Sequence, residues 1–390
     1  MAAAVVLSQR KIPVTVFESG PVPGGRARRI LSQGNELDNG QHILVGAYRE
    51  LFGLMRTVGV PQDAVLRLPL ELRYAGNFSL RSRSLPFPFG LLGGLLLARG
   101  LPVAERLGAV RFIAALRAAG FRLPQDIAVA ELLRRHRQDG AIGHYLWRPL
   151  CVSALNTPVA IASSRAFLVV LRDALLGGDG ASDLVLPRVD LSRLFPDPAS
   201  EYVTRHGGEI RLRSPVESLE ELKKQYSSVI VAVGPHQLKT LLPAVADGYT
   251  YQPIYTCYLQ YSESVKLPFP MVGLADGLVQ WVFDRGHLLG EKGRLACVIS
   301  AQGDHQQMSQ DEVAATCHRE LKQAGLVDEN PAWMRVVAEK RATVTCAVGR
   351  PTVETRTAGV FLAGDYLDAE YPPTLEAAVR SGVRAANMIA

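Results

Sequence analysis

Residues 359–390 read GVFLAGDYLDAEYPPTLEAAVRSGVRAANMIA, and they set the architecture that we expect for the whole chain. Val360 to Ala363 form a short apolar run that ends at a glycine, which is typical of a buried parallel strand. Gly364 would let the backbone approach a ligand. Asp365 places a carboxylate at the carboxyl end of the strand, where open α/β sheets bind their ligands. On spacing alone, an ordinary terminal strand followed by a helix explains the stretch equally well.

A helix is predicted from Leu375 to Ile389. Pro372 and Pro373 halt the chain before it, and Thr374 is a good N-cap residue. Apolar and small side chains recur on one face, which can lie close against a sheet: Leu375, Val379, Gly382, Val383 and Ala386. Because the amino end of a helix carries free N–H groups and a partial positive charge, this end suits an electron-rich group.

Three features of this stretch together resemble the carboxyl-terminal flavin motif of the amine oxidase and phytoene desaturase superfamily. They are the Gly-Asp-Tyr sequence at 364–366, the turn from proline to Thr374, and the Ser381-Gly382 pair. The resemblance implies an α/β fold with a Rossmann-like FAD-binding domain. It also implies that Gly364 and Asp365 bind FAD, the aspartate through the ribityl chain, and that the helix start at Thr374 faces the flavin ring.

Composition narrows the class of protein. The chain has 390 residues, of which 48% are hydrophobic, so it is long enough for two domains or one composite domain with a large core. The net charge is only +6 and the arginines are scattered, which argues against nucleic-acid binding and is consistent with a weak attraction to anionic lipid. The five cysteines are far apart with no CxxC pair, and residues 1–10 show no secretory signal. We therefore expect a cytoplasmic protein.

The amino-terminal end supplies the matching half of the expected cofactor site. Ala2 to Gln9 is predicted to be a helix, and Val14 to Phe17 a strand that ends at Glu18. In dinucleotide-binding folds, an acid at this place hydrogen-bonds a ribose hydroxyl about 20 residues after a glycine fingerprint. Counting back that far runs past Met1, so the first strand and the GxGxxG loop are missing from the chain as written. We interpret Met1 as an internal methionine and expect the natural protein to extend upstream; the rival explanation is that the fold tolerates the loss.

Two short motifs follow this strand. A glycine pair can bring backbone N–H groups to a phosphate, and the arginine after it adds positive charge. Together with the carboxyl-terminal motif, this predicts FAD contacts at Glu18, Gly24, Gly25 and Arg26. The sequence Asp-Asn-Gly-Gln-His at 38–42 resembles a segment that passes beside the flavin in the superfamily, which implies a cofactor contact at Gly40. His42 fits a surface or backbone-bonded histidine equally well.

Helix-forming sequence dominates from residue 47 to about 198. The apolar run at 85–97 is bracketed by Arg81, Arg83 and Arg99, and it is too short to span a bilayer. We expect it to enter a membrane interface or to line an apolar substrate channel, although a buried loop and helix would have the same sequence. An amphipathic core helix is predicted at 103–119. Its arginines should face solvent and its apolar residues should face inward: Leu107, Val110, Ile113, Ala114 and Leu116.

A distinctive segment lies between the two flavin-related ends. Residues 150–158 read LCVSALNTP, and a helix is predicted after Ser163 up to Leu176. The Leu-Asn-Thr-Pro sequence resembles a signature of the hydroxysqualene dehydroxylase family, the squalene-associated FAD-dependent enzymes of bacterial hopanoid pathways. In the superfamily a backbone valine lies against adenine, and Val216 is the matching position here. Val229 to Val233 is predicted to be a buried strand that returns the chain to the FAD domain.

The last interior stretch alternates apolar and polar residues. Strands at 255–261, 279–283 and 295–300 are expected to form a sheet over the substrate site, with a helix at 311–325 covering it. The predicted fold is therefore a discontinuous Rossmann-like FAD-binding domain with an inserted α+β substrate domain. The FAD-binding domain would comprise 1–46, 199–245 and 342–390, and the substrate domain 47–198 and 246–341.

The chain carries no GxSxG or HExxH motif, so a bound flavin is the economical source of its chemistry. The resemblance implies reductive dehydroxylation of hydroxysqualene to squalene, with Asp38 or His42 as the proton donor. Implied partners are a long-chain isoprenoid substrate, a peripheral contact with the inner membrane, and prenyl-synthase-like enzymes of the pathway. The alternatives are a carotenoid or phytoene-type desaturase and a non-catalytic isoprenoid-binding protein. An amine oxidase is disfavoured because its motif usually carries Glu where Asp365 stands.

Overall fold

The computed structural model describes residues 1–76, 78–82, 89–242, 248–355 and 357–389. Its strands are β1 Thr15–Phe17, β2 Arg29–Ser32, β3 Asn35–Asp38, β4 Leu44–Val45, β5 Val65–Leu68, β6 Glu71–Arg73, β7 Ser79–Arg81, β8 Leu184–Pro187, β9 Glu209–Arg211, β10 Val229–Val231, β11 Tyr251–Gln260, β12 Met271–Gly273, β13 Trp281–Asp284, β14 Arg294–Ser300, β15 Trp333–Val344 and β16 Val360–Leu362. Its helices are α1 Ala2–Gln9, α2 Arg49–Thr57, α3 Phe89–Leu96, α4 Val103–Ala118, α5 Val129–Arg135, α6 Arg148–Leu155, α7 Ser164–Leu176, α8 Leu191–Leu194, α9 Pro196–Arg205, α10 Leu219–Gln225, α11 Pro235–Leu241, α12 Arg285–Leu289, α13 Gln310–Gln323 and α14 Leu375–Asn387.

Two parallel strand pairs form the dinucleotide-binding part of the fold. Strand β1 pairs with β9, and β10 pairs with β16, each through three residues in parallel register. Among the described residues, no strand is hydrogen-bonded to both pairs. Because parallel strands end at the same edge, Glu18 lies beside the segment after β9, and Ala363 lies beside the segment after β10. The pairing confirms the predicted strands at both ends of the chain.

Helix α14 starts where the sequence predicts. The Thr374 hydroxyl accepts a hydrogen bond from the Ala377 N–H at 3.2 Å, and this N-cap fixes the first turn. A Cβ added at Gly382 would lie 3.2 Å from the Cβ of Ala2, so the small-residue face of α14 crosses closely over α1. The sequence led us to expect a sheet beneath this face. At Gly382 the neighbour is a helix, because α1 lies directly under α14 there.

The larger sheet is antiparallel, with the strand order β12-β13-β14-β11-β15. It contains the three strands predicted between residues 255 and 300, together with β12 and β15, which the sequence analysis did not identify. One face of the sheet packs on the helices of the 47–198 region through Tyr258, Trp281 and Phe283. The other face, which includes Cys257 and Cys297, is covered by α13, as predicted. This alternation is the period-2 pattern expected for a strand buried on both faces.

The 47–198 region is mostly helical, but it also contains short strands that were not predicted. Strand β8 pairs on one side with β5 and on the other with β4, which comes just before this region, and β6 pairs with β7. The predicted helix at 103–119 is α4, in which Ile113 and Leu116 are buried. The prediction was wrong for Leu107, which is 45% exposed, and for Ala114, which is also exposed. Some apolar residues of α4 therefore face solvent as well as its arginines.

The apolar run at 85–97 lies partly outside the described residues, since 83–88 are not described. Its second half is helix α3, where a Cβ at Gly94 would lie 2.5 Å from the carbonyl oxygen of Arg81. Gly94 therefore allows α3 to pack tightly on the backbone after β7. Phe89 is 63% exposed and Leu97 57% exposed, so the outer side of this segment remains apolar and open to solvent. In the part of the chain that the structure describes, no helix is both long and apolar enough to cross a bilayer.

The Leu-Asn-Thr-Pro segment ties the helices to the large sheet. Asn156 adopts a left-handed conformation with φ 44° directly after α6, which asparagine tolerates better than most residues. Its Oδ1 accepts from the Ala301 N–H at 2.7 Å, and its Nδ2 donates to the Thr343 hydroxyl at 3.0 Å. The Thr157 hydroxyl accepts from the Cys346 N–H at 2.9 Å. These buried contacts give the motif a structural role in joining three distant segments.

Candidate cofactor site

Glu18 and the segment that contains Val216 lie at one edge of the β1–β9 pair. The Glu18 Oε1 atom accepts from the Gly20 N–H at 2.6 Å. The Glu18 carbonyl accepts from the Ser214 N–H at 2.9 Å, which holds the start of the segment against the end of β1. Val216 is half-buried two residues further on. The structure therefore brings the predicted ribose acid and the predicted adenine contact together.

The glycine pair differs in what each residue does. Gly24 and Gly25 both have positive φ, at 111° and 60°, where side chains are strained. A Cβ at Gly24 would lie 2.6 Å from the Ala27 carbonyl and 2.8 Å from Pro196, so packing inside the protein requires this glycine. A Cβ at Gly25 would meet no atom within 4 Å. Its backbone borders open space, as an anion-binding turn requires.

Arg26 and Asp365 join the two ends of the chain. The Arg26 Nη2 atom lies 2.7 Å from Asp365 Oδ1, and its Nη1 donates to the Ala342 carbonyl at 2.6 Å. Burial acts to lower the pKa of Arg26, but the Asp365 and Glu339 carboxylates outweigh it and raise that pKa. The guanidinium therefore stays charged beside the carboxyl end of β16. The two residues contact each other here, and their contacts with FAD stay predictions.

Gly364 and Thr374 shape the approach to α14. The Gly364 N–H donates to the Ser381 hydroxyl at 2.8 Å, which fixes the end of β16 to the middle of α14. The Tyr366 ring folds over Gly364 and fills the place of a Cβ. Thr374 uses its hydroxyl as the N-cap. Glu376 points away from this site, where it accepts from the Leu51 N–H at 2.9 Å and caps helix α2 instead.

Asp38 is a buried anchor. Its Oδ1 accepts from the Leu191 N–H at 2.8 Å, and its Oδ2 lies 3.1 Å from the Arg285 Nη1. Burial raises the pKa of the Asp38 carboxyl, although the Arg285 guanidinium and the Leu191 N–H oppose this. Both oxygens have partners, and one of those partners is a cation. The geometry suits a carboxylate that holds its segment in place better than one that gives a proton to a ligand.

Arg285 is the centre of a network that the sequence analysis missed. Its side chain is 1% exposed, and it donates to Gln41 Oε1 at 3.0 Å and to Glu291 Oε2 at 2.7 Å. Its guanidinium carbon lies 5.3 Å from the ring centroid of Tyr258, and the Tyr258 hydroxyl donates to the Asp38 carbonyl at 2.9 Å. A buried charge needs such partners. Because 247 positions separate Arg285 from Asp38, no local pattern could have indicated the pair.

His42 is held by its own turn. Its Nδ1 lies 2.8 Å from the Gly40 carbonyl oxygen, and because that oxygen only accepts, Nδ1 must carry a hydrogen. Burial lowers the pKa of His42, so the ring is neutral near pH 7 and Nε2 carries a lone pair. Gly40 is buried, and a Cβ there would lie 3.7 Å from the Thr256 hydroxyl oxygen and 3.8 Å from the His42 ring, so this side of the residue faces protein atoms.

The large sheet also contacts these loops. The Asn39 Nδ2 donates to Glu339 Oε2 at 3.1 Å, and the Gln41 N–H donates to the Thr256 hydroxyl at 3.3 Å. Strands β11 and β15 therefore each hold the 38–42 segment through one hydrogen bond. The sequence predicted that this sheet contacts only the substrate. No local pattern marks Glu339 or Thr256 as neighbours of the 38–42 segment.

The residues present fit a dinucleotide. Glu18 and Asp365 follow the ends of two parallel strands, a charged guanidinium pairs with Asp365, and the backbone at Gly25 borders open space. These features define a flavin- or nicotinamide-type dinucleotide-binding protein with an attached apolar sheet.

Comparison with known proteins decides between these cofactors. The sequence model of the flavin containing amine oxidoreductase family matches residues 1–390, and the chain belongs to that family of FAD-dependent oxidoreductases. A hydroxysqualene dehydroxylase of Sinorhizobium fredii is 26% identical over 100% of this chain and 95% of its own. A Synechococcus elongatus protein named probable zeta-carotene desaturase is 22% identical over 99% and 95%. A solved oxidoreductase of Methanosarcina mazei, 14% identical, superposes with a TM-score of 0.71 over 99% of this chain and 97% of its own.

These findings confirm the predicted α/β class, the FAD cofactor and the oxidoreductase activity. The individual site residues and the domain boundaries stay predictions. Strand β15 runs from Trp333 to Val344, so it crosses the proposed boundary between residues 341 and 342. Both sides of that boundary contact the predicted FAD-binding domain, since Arg26 donates to the Ala342 carbonyl and Asn39 donates to Glu339.

Proposed function

We propose that this chain uses FAD to convert hydroxysqualene into squalene by reductive dehydroxylation. The proposal rests on the whole-length match to proteins named hydroxysqualene dehydroxylase, together with the Leu-Asn-Thr-Pro segment at 155–158. Bound FAD supplies two-electron hydride chemistry, and the protein binds and orients the substrate.

The leaving hydroxyl needs a proton, and His42 is the better of the two predicted donors. Asp38 is held by Arg285 and Leu191, so we assign it to positioning the 38–42 segment. Its negative charge raises the pKa of His42 against the larger opposing effect of burial. In the proposed step, the minor protonated form of His42 holds a proton on Nε2 and gives it to the substrate hydroxyl as the C–O bond breaks.

Product analysis tests the proposal. Hydroxysqualene is incubated with the FAD-loaded protein after its reduction without oxygen, and phytoene is incubated with the same protein in its oxidised form. Squalene from the first incubation, with phytoene unchanged, is the expected result. A more unsaturated product from phytoene under oxidising conditions would favour the desaturase alternative, which the Synechococcus relative represents. A protein that binds the isoprenoid and leaves it unchanged in both incubations would favour the non-catalytic alternative.

We also propose that the protein docks on an anionic membrane surface through helices α3 and α4. Five large apolar side chains are exposed there and form what we call the α3–α4 patch: Phe89, Leu96, Leu97, Val103 and Leu107. Arg99 and Arg111 are exposed beside it, and Arg111 follows Leu107 by one helical turn. Apolar side chains flanked by arginines are typical of an interfacial surface. A membrane is also the expected location of a C30 hydrocarbon precursor.

Vesicle sedimentation tests this contact. Leu107→Glu should reduce binding to vesicles that contain anionic lipid, because it places a charge in the patch. Leu31→Glu is the matched control, since Leu31 is 76% exposed on β2 and lies outside the patch. Equal binding by both variants would refute the assignment. The cytoplasmic location is proposed on the five cysteines, all free and buried. Association with prenyl-synthase-like enzymes stays a prediction of the family resemblance.

A further inference from the structure

A second arginine lies next to the Arg26–Asp365 pair. Arg341 is an exposed residue near the end of β15, one position before the carbonyl that accepts from Arg26. Its guanidinium carbon lies 5.9 Å from the ring centroid of Tyr251 on the neighbouring strand β11. Within the described parts of the chain, the Arg341 side chain makes no ion pair or hydrogen bond. Arg341 is therefore a cation that lies near the predicted cofactor site, against the Tyr251 ring, and the described residues pair it with no carboxylate.

Tyr251 and His236 both lie within electrostatic reach of the two guanidinium groups. The His236 N–H donates to the Tyr251 hydroxyl at 3.0 Å, which joins the start of α11 to β11. Partial burial lowers the pKa of His236, and the charges of Arg341 and Arg26 lower it further. The same two arginines act on Tyr251, against the effect of burial on its pKa. The two cations therefore lie close enough to interact with one pair of side chains.

The carboxylates near Arg26 and Arg341 already have hydrogen-bond partners other than the Arg341 guanidinium. Asp365 pairs with Arg26, and Glu339 accepts from Asn39 at 3.1 Å and from the Arg341 backbone N–H at 3.2 Å. The Arg341 guanidinium is thus the positive group whose hydrogen-bond donors remain available. The pyrophosphate of FAD carries two negative charges and sits next to the ribityl chain, which is the part of FAD assigned to Asp365. A planar guanidinium is suited to binding such a group through two parallel hydrogen bonds.

We propose that Arg341, oriented by Tyr251, binds the pyrophosphate of FAD alongside Arg26. The inference rests on membership of the FAD-dependent family and not on the identity of the substrate. It makes the large sheet a direct contributor to cofactor binding, since Arg341 and Tyr251 come from β15 and β11. An ordinary solvent-exposed arginine is the opposing explanation, and cofactor titration separates the two.

The experiment measures binding of FAD and of riboflavin, which lacks the pyrophosphate, by quenching of flavin fluorescence. Arg341→Ala should raise the Kd for FAD by roughly ten- to a hundredfold, because a hydrogen bond to a charged group contributes about that factor. Riboflavin affinity should change less than about twofold, since it has no phosphate to lose. Lys340→Ala is the matched control. It removes the same charge from the adjacent exposed residue, while Arg341 keeps its contact with the Tyr251 ring, and it should leave FAD affinity near the wild-type value.

Several results would overturn the proposal. One is an Arg341→Ala variant that binds FAD as the wild type does. Another is an equal loss of FAD and riboflavin, which would indicate a change in folding and not a lost phosphate contact. A Lys340→Ala variant that loses as much FAD affinity would point to general charge, and a wild-type protein that binds no FAD would remove the site itself. Arg341→Lys should fall between the wild type and Arg341→Ala, because it keeps the charge without the planar fork.

Discussion

Arg285→Met should destabilise the protein strongly, although Arg285 is not itself a predicted cofactor contact. The change removes the cation that lies 3.1 Å from Asp38 and 2.7 Å from Glu291, while the side-chain volume is largely kept. Asp38 is left as a carboxylate with 5% of its side chain exposed, facing methionine. Removing one partner of a buried ion pair costs about 3–5 kcal/mol, because the other charge stays buried without compensation. We expect the loss to fall in that range.

Urea unfolding followed by circular dichroism measures the effect, with the FAD-loaded protein compared under identical conditions. Lys292→Met is the control, since Lys292 forms an exposed pair with Glu263 and should contribute less than about 1 kcal/mol. The double variant Asp38→Asn with Arg285→Met should recover part of the loss, because the uncompensated charge at residue 38 is gone. A cost below about 1 kcal/mol for Arg285→Met, or a double variant as unstable as the single one, would refute this account of the network.

The pH dependence of this variant has a defined sign. Burial already raises the pKa of Asp38 above its usual 3.8, and loss of the guanidinium raises it further. The folded variant therefore binds a proton at residue 38 more tightly than the unfolded chain does. Its destabilisation relative to wild type should be smallest in acid and should grow as the pH rises through the raised pKa. A loss that is the same at every pH would contradict a charge-based cause.

Three further predictions concern the site and the motif. Because the reactive form of His42 is protonated and burial lowers its pKa, single-turnover rates should rise as the pH falls below 7, and His42→Gln should abolish that rise. Gly364→Ala should lower both the melting temperature and the affinity for FAD, because the Tyr366 ring occupies the place of the new methyl group. Gly25→Ala should destabilise the protein less, by about 1 kcal/mol of backbone strain. Asn156→Ala should cost about 1–3 kcal/mol in urea unfolding, since it leaves the Ala301 N–H without its partner.

Sequence alone predicted the elements whose signals are local. Val360 to Ala363 showed an apolar run with a glycine stop, Thr374 was in the N-cap position, and the first helix was placed correctly from Ala2 to Gln9. Helix α13 showed a 3.6-residue period, and Ser309 with Glu312 forms its capping box. In each case, residues within one or two turns determine the backbone conformation. Motif order along the chain then indicated the family, although each single motif was weak.

The remaining features depend on residues far apart in the chain. Strand β15 was missed because charged residues such as Glu339 and Lys340 interrupt its apolar pattern, and its pairing with β11 decides its structure. Leu107 was placed in the core because its helical spacing fits, but α4 is apolar on more than one side. Periodicity gives the faces of a helix but not which face meets a partner. The Asp38–Arg285 pair had no sequence signal at all.

The contacts of the large sheet change how the site is understood. The sequence suggested two ends that bind FAD and a separate middle that binds hydrocarbon. In the structure, the Thr256 hydroxyl accepts a hydrogen bond from the Gln41 N–H. The Ala342 carbonyl accepts one from Arg26, and Glu339 accepts one from Asn39. Each of these contacts joins a predicted flavin loop to the strands that carry the apolar face. Any displacement of β11 or β15 would therefore act directly on Arg26 and on the 38–42 segment, and so on the predicted cofactor contacts.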